Sequence, residues 1–160
     1  MKRKALTVII LFTLAFIWGH SMVPRSASAD ESGYFLKILY PVLSVILGTG
    51  GVTNHLIRKI AHFTEYFILG TELRLYQNVI YSGAEVPFGT TPPAKRGSFM
   101  NGIHRLLHGR MLTSVRFAFY IAFIDETIQI FSGRGPQIAD VWLDVLGAFC
   151  GAGIVSLLSA

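Results

Sequence analysis

The sequence predicts an all-α integral membrane protein of about four transmembrane helices with a short interfacial helix. Three observations carry that expectation. Four stretches, 5–23, 56–81, 112–131 and 138–158, are long and predominantly apolar, as a helix crossing a bilayer core of about 30 Å must be. Charged residues make up 14% of the 160-residue chain against 52% hydrophobic ones, whereas soluble domains carry about 25% charge, and mean hydropathy is +0.52. The Lys and Arg residues are bunched in a few segments, as they are in the cytoplasmic loops of helical membrane proteins.

The first stretch, 5–23, follows Lys2, Arg3 and Lys4. It fits a retained span and also a signal peptide, because Ala27-Ser28-Ala29 before Asp30 has the small-residue form of a cleavage site. Residues 24–33 are polar and serine-rich. Tyr34 to Gly48 is apolar apart from Lys37, Pro41 and Ser44. At roughly 15 residues it is shorter than a spanning helix, so it is expected to be partly embedded or interfacial. The Gly48-Thr49-Gly50-Gly51 turn ends it, and Asn54 stands where a cap for the next helix is needed.

The second span, 56–81, is interrupted by Arg58, Lys59, His62, Glu65, Glu72 and Arg74, so it is not expected to face lipid all round. Residues 82–111 have the composition of a basic loop, with Pro87, Pro92, Pro93, Lys95 and Arg96. Within it, Phe99, Ile103, Leu106 and Leu107 fall at helical spacing among His104, Arg105 and His108, the pattern of a short amphipathic helix on an anionic membrane surface. The spans 112–131 and 138–158 complete a single membrane domain over 1–160 with no internal repeat.

Charge sets the orientation. With the N-terminus inside, segments 1–4 and 82–116 hold eight Lys and Arg residues, and the outer segments 24–59 and 132–137 hold five. Lys and Arg favour the cytoplasmic side, which puts both termini in the cytoplasm of a multi-pass protein in the plasma membrane. The net charge of +5 therefore reads as topology, and no nucleic-acid partner is expected. A single cysteine, Cys150, excludes an intrachain disulfide and a cysteine-rich zinc site.

Ionisable groups at membrane depth are costly and mark functional sites. Here they converge on the outer side, because the second and fourth spans start there and the third ends there. Arg58, His62 and Glu65 share a helical stripe with Tyr66 at its flank. Asp125 and Gln129 stand one turn apart with Glu126 beside them. Asp140, Asp144, Gly147 and Gly151 line one stripe of the fourth span, and the Gly147 to Gly151 spacing invites close approach of a neighbouring helix.

At these residues the chain resembles a known family. RKIAHFTEYFILG and DETIQIFSGRGPQIADVWLDVLGAFCG are similar to the two signature regions of the VanZ-like family of small bacterial membrane proteins, named for a teicoplanin-resistance protein. Lys59, His62, Phe63, Glu65 and Tyr66 match the first region; Asp125, Glu126, Gln129, Arg134, Asp140 and Gly147 match the second. Ser26, Ser28, Glu31 and Ser32 weakly match a serine-rich stretch after the family's first span, which favours keeping the first helix. Two positions depart from the pattern. Ser132 alone separates Phe131 from Gly133 where many members have two residues, and Asp144 stands where some carry Asn. The resemblance implies a cell-envelope membrane protein linked to glycopeptide resistance and fixes no biochemical mechanism.

The expected site is an outer-leaflet pocket walled by Arg58, Lys59, His62, Glu65, Tyr66, Asp125, Glu126, Gln129, Arg134, Asp140 and Asp144. It would take a polar or anionic cell-wall or lipid-linked ligand, with the arginines gripping phosphate or carboxylate through their planar forks. Two alternatives stand beside it. An enzyme acting on an envelope lipid or peptidoglycan precursor would draw its acid and base from His62, Glu65, Asp125 and Glu126 or, in a metal-dependent version, hold an ion with one His and two or three carboxylates, and a scaffold would use the same charges as buried ion pairs. No metal or cofactor is assigned, and the sequence does not fix an oligomeric state.

Overall fold

The structure is a computed structural model and describes residues 2–48, 50–81, 110–133 and 137–159. Those residues form five helices and no strand: α1 (Lys2–Ser21), α2 (Arg25–Leu47), α3 (Asn54–Tyr81), α4 (Arg110–Phe131) and α5 (Ile138–Leu158). The all-α expectation holds. α1 and α5 are long and apolar enough to cross a membrane, and the apolar part of α2, Ser32–Ile46, is shorter. The basic loop 82–109, with its expected amphipathic helix, and Arg134 lie outside the described residues.

Two boundaries differ from expectation. α2 begins at Arg25, so the serine-rich stretch belongs to the helix. Serine disfavours helix interiors only weakly. The cap of α3 is Thr53, one residue before Asn54: the Leu56 N–H donates to Thr53 Oγ1 at 3.2 Å, which satisfies one of the amides exposed at a helix start. α4 ends in a turn at Gly133, whose φ of 69° lies in the left-handed region that favours glycine.

α3 is the central helix; it packs against α1, α2, α4 and α5, whereas α2 packs on α3 alone among the described residues. Thr13 pairs with Glu72 and His20 with Glu65, so α1 and α3 run antiparallel. Lys59 meets Asp140 and Arg74 meets Ser156, so α3 and α5 run parallel. The core between them is small: Ile17, Tyr66, Leu69, Ala118, Ala122, Val141 and Ala148.

Glycines set the closeness of α3 and α5. A Cβ at Gly147 would stand 2.5 Å from the Phe63 carbonyl oxygen, one at Gly151 would stand 2.7 Å from Thr71 Oγ1 and collide with the Phe67 carbonyl, and one at Gly70 would stand 2.6 Å from the Ala148 Cα. Backbone thus lies on backbone, as the Gly147 to Gly151 spacing predicted. This contact brings the polar ends of α3 and α5 within side-chain reach of each other.

Candidate functional site

The polar residues gather at the end of the bundle where α1 and α4 finish and α3 and α5 begin. α3 supplies His62 and Tyr66, α4 supplies Asp125, Glu126 and Gln129, and α5 supplies Asp144, all of them buried. Asp125 and Asp144 are 0% exposed. His62 Nδ1 stands 3.9 Å from Asp125 Oδ2 and 3.9 Å from Asp144 Oδ1. Asp125 is held from two sides, accepting from Ser21 Oγ at 2.5 Å and from Gln129 Nε2 at 3.1 Å. Glu126 reaches across to the start of α5 and accepts the Gln137 N–H at 3.0 Å. The two oxygens of Asp144 and the Tyr66 hydroxyl are buried and make no hydrogen bond among the described residues.

The remaining expected residues divide between two flanks. Lys59 pairs with Asp140 across α3 and α5, both partly exposed. Arg58 and Glu65 face the other way, into a cleft of about 570 Å³ between α1, α2 and α3. Phe16, Gly19, Val23, Phe35, Ile57 and Ala61 give the cleft its largely apolar wall, and His20, Ser32, Arg58 and Glu65 are its polar points. His20 Nδ1 lies 3.1 Å from Glu65 Oε1. Among the described residues Arg58 makes no hydrogen bond or ion pair. The arrangement therefore holds an interior carboxyl cluster and, beside it, an apolar cleft with a guanidinium in its wall.

Three members of this site come from outside the residues singled out as its wall. His20 and Ser21 close α1, and Ser32 is buried in α2. The His20 ring stacks on that of His62 with centroids 6.2 Å apart, so it stands between cleft and cluster. A Trp-Gly-His-Ser ending on an apolar segment resembles any interfacial span end, and nothing in sequence shows that its partners lie on α3 and α4. Ser32 was legible only through its weak match to a serine-rich family stretch.

A family model described as VanZ/LLP1 matches residues 5–159, nearly the whole chain and the interior cluster with it. The chain belongs to the VanZ/LLP1 family. No curated protein and no solved structure matches it. The match includes α1, so in this VanZ/LLP1 chain the helix that carries His20 and Ser21 belongs to the family region.

Proposed function

We propose that this VanZ/LLP1 protein is a multi-pass membrane protein of the bacterial cell envelope that binds an anionic, lipid-linked ligand in the cleft between α1, α2 and α3. The membrane reading is supported by inverted burial: Phe12 is 73%, Tyr120 65% and Trp142 63% exposed, while carboxyls lie at the centre. Water would meet a large apolar surface that soluble monomers avoid; lipid would not be penalised by it. α3 and α4 carry more charge than α1 and α5, but His62, Glu72, Asp125 and Glu126 are turned inward, where intramembrane ionisable groups belong. The excess of basic residues in 2–4 and 82–116 supports cytoplasmic termini, which sets the cleft in the outer leaflet.

The cleft carries the ligand reading. Its volume suits a small-molecule site, and such sites combine apolar walls with few polar groups. An isoprenoid or acyl chain would lie against Phe16, Val23, Phe35 and Ile57, and the head group would meet Arg58. A guanidinium with no carboxylate partner among the described residues, set in an apolar wall, gains most from a phosphate or carboxylate that it can grip with two hydrogen bonds. A cell-wall precursor on a lipid carrier has this chemistry and would connect the site to glycopeptide action. Lys59 is committed to Asp140, which supports a structural part for that pair.

Native mass spectrometry of the detergent-solubilised full chain with a polyprenyl phosphate tests the proposal, with the matching polyprenol as neutral control. The phosphate is expected to bind, the alcohol to bind poorly, and Arg58→Gln to weaken phosphate binding by about tenfold, as loss of a charge-assisted hydrogen bond implies. Equal binding of phosphate and alcohol, or an Arg58→Gln variant indistinguishable from the parent, contradicts it.

A further inference from the structure

We infer that His62, Asp125 and Asp144 form a binding site for one divalent transition-metal cation between α3, α4 and α5. Each residue offers a ligand atom, and the three atoms lie within 4.8 Å of one another. Donors around an ion at about 2.0–2.2 Å stand roughly 3–3.5 Å apart. The 3.9 Å separations from His62 Nδ1 therefore close by about 0.4–0.9 Å on binding, and the two carboxylates, within 4.8 Å of each other, draw together through side-chain rotation. The rest of the site already holds the donors: Ser21 Oγ and Gln129 Nε2 each donate to one oxygen of Asp125, the kind of outer contact that orients a ligating carboxylate.

A second observation points to a cation. Asp144 is fully buried, and among the described residues neither of its oxygens is hydrogen-bonded and the equally buried Tyr66 hydroxyl has no hydrogen-bond partner. Glu65, Glu126 and Asp140 lie within electrostatic reach of Asp144 as well, and the neighbouring lysine, Lys59, is committed to Asp140. Glu65 is met by His20 and Asp140 by Lys59, and among the described residues the imidazole of His62 faces both Asp125 and Asp144. Buried charge must be paired or bound to metal, and a dication between Asp125 and Asp144 would do both at once. One nitrogen and two carboxylate oxygens favour zinc or manganese: imidazole suits the former, carboxylates suit the latter, and thiolate-preferring ions find no sulfur here. The site is separate from the proposed cleft, and its test does not depend on ligand binding there.

The experiment uses the purified full chain in detergent, stripped with a chelator and titrated separately with zinc chloride and manganese chloride. Calorimetry and elemental analysis read the result. About one ion per chain is expected for one of the two metals. Asp144→Asn is expected to weaken affinity by at least about tenfold, since even outer-contact losses cost 10–100-fold. Glu72→Gln, ten residues along α3 from His62, should bind as the parent does. The unsubstituted chain decides the question even if a variant misfolds: binding of less than roughly one-tenth of an ion per chain for both metals overturns the proposal. So does an Asp144→Asn variant that keeps the parent's affinity; a carboxyl cluster balanced by protons would give that outcome.

Discussion

Ser21 donates to Asp125 at 2.5 Å inside a fully buried site, so α1 helps to satisfy the carboxyl on which α4 depends. Removing that donor leaves Asp125 with Gln129 as its remaining hydrogen-bond partner among those described. Leaving a buried acceptor short of a partner costs about 1–3 kcal/mol. Ser21→Ala should therefore lower the melting temperature in detergent, while Ser44→Ala, whose weak 3.4 Å bond to the Pro41 carbonyl is exposed, should not. Equal melting of the two variants would show that the Ser21 bond is unimportant. At this scale the sequence was uneven. Asp125 and Asp144 declared themselves, because a carboxyl in an apolar run has to be accounted for. Ser21 and His20 did not, because a hydroxyl or imidazole at a helix end is ordinary until its partner, 104 or 45 residues away, is known.

Helix α1 is linked to the bundle by side chains that include Thr13 to Glu72, His20 to Glu65 and Ser21 to Asp125, and it buries Ile17 completely. Those links join it to α3 and α4, and the family match from residue 5 onward includes it. The α3/α5 contact was more readable, since small residues one turn apart point to close packing whatever the partner. It allows a sharp test. Gly151→Leu forces side-chain atoms against the Phe67 carbonyl and Thr71, and overpacking of this kind costs about 1–3 kcal/mol or more. The variant should melt earlier and elute as a broader species, whereas Gly19→Ala, which meets open space, should behave as the parent does. Parent-like melting of Gly151→Leu would mean that the two backbones are not in contact. The extended start of α2 was not readable, because serine-rich sequence favours turns locally, whereas here it is helical.

For the molecule as a whole, composition made the helical class and its inside-out polarity legible, and the family match over 5–159 agrees with the signature residues. Sequence did not reveal how the polar residues divide. Spacing put Arg58, His62 and Glu65 on one stripe, but a stripe on a central helix faces more than one neighbour. Arg58 and Glu65 line the cleft, and His62 turns to α4 and α5. The proposed topology makes its own prediction: reporters placed before Lys2 and after α5 should both be active only in the cytoplasm, and an extracytoplasmic signal at either end contradicts it. The cleft is tested most directly by photocrosslinking in membranes, with a polyprenyl phosphate carrying a photoreactive group along its chain and mass spectrometry to locate the adducts. Adducts on Phe16, Phe35 and Ile57 that are lost in Arg58→Gln are the predicted result. Adducts spread over outward residues such as Phe12, Tyr120 and Phe123, unaffected by Arg58→Gln, would show contact with bulk lipid and contradict a binding cleft.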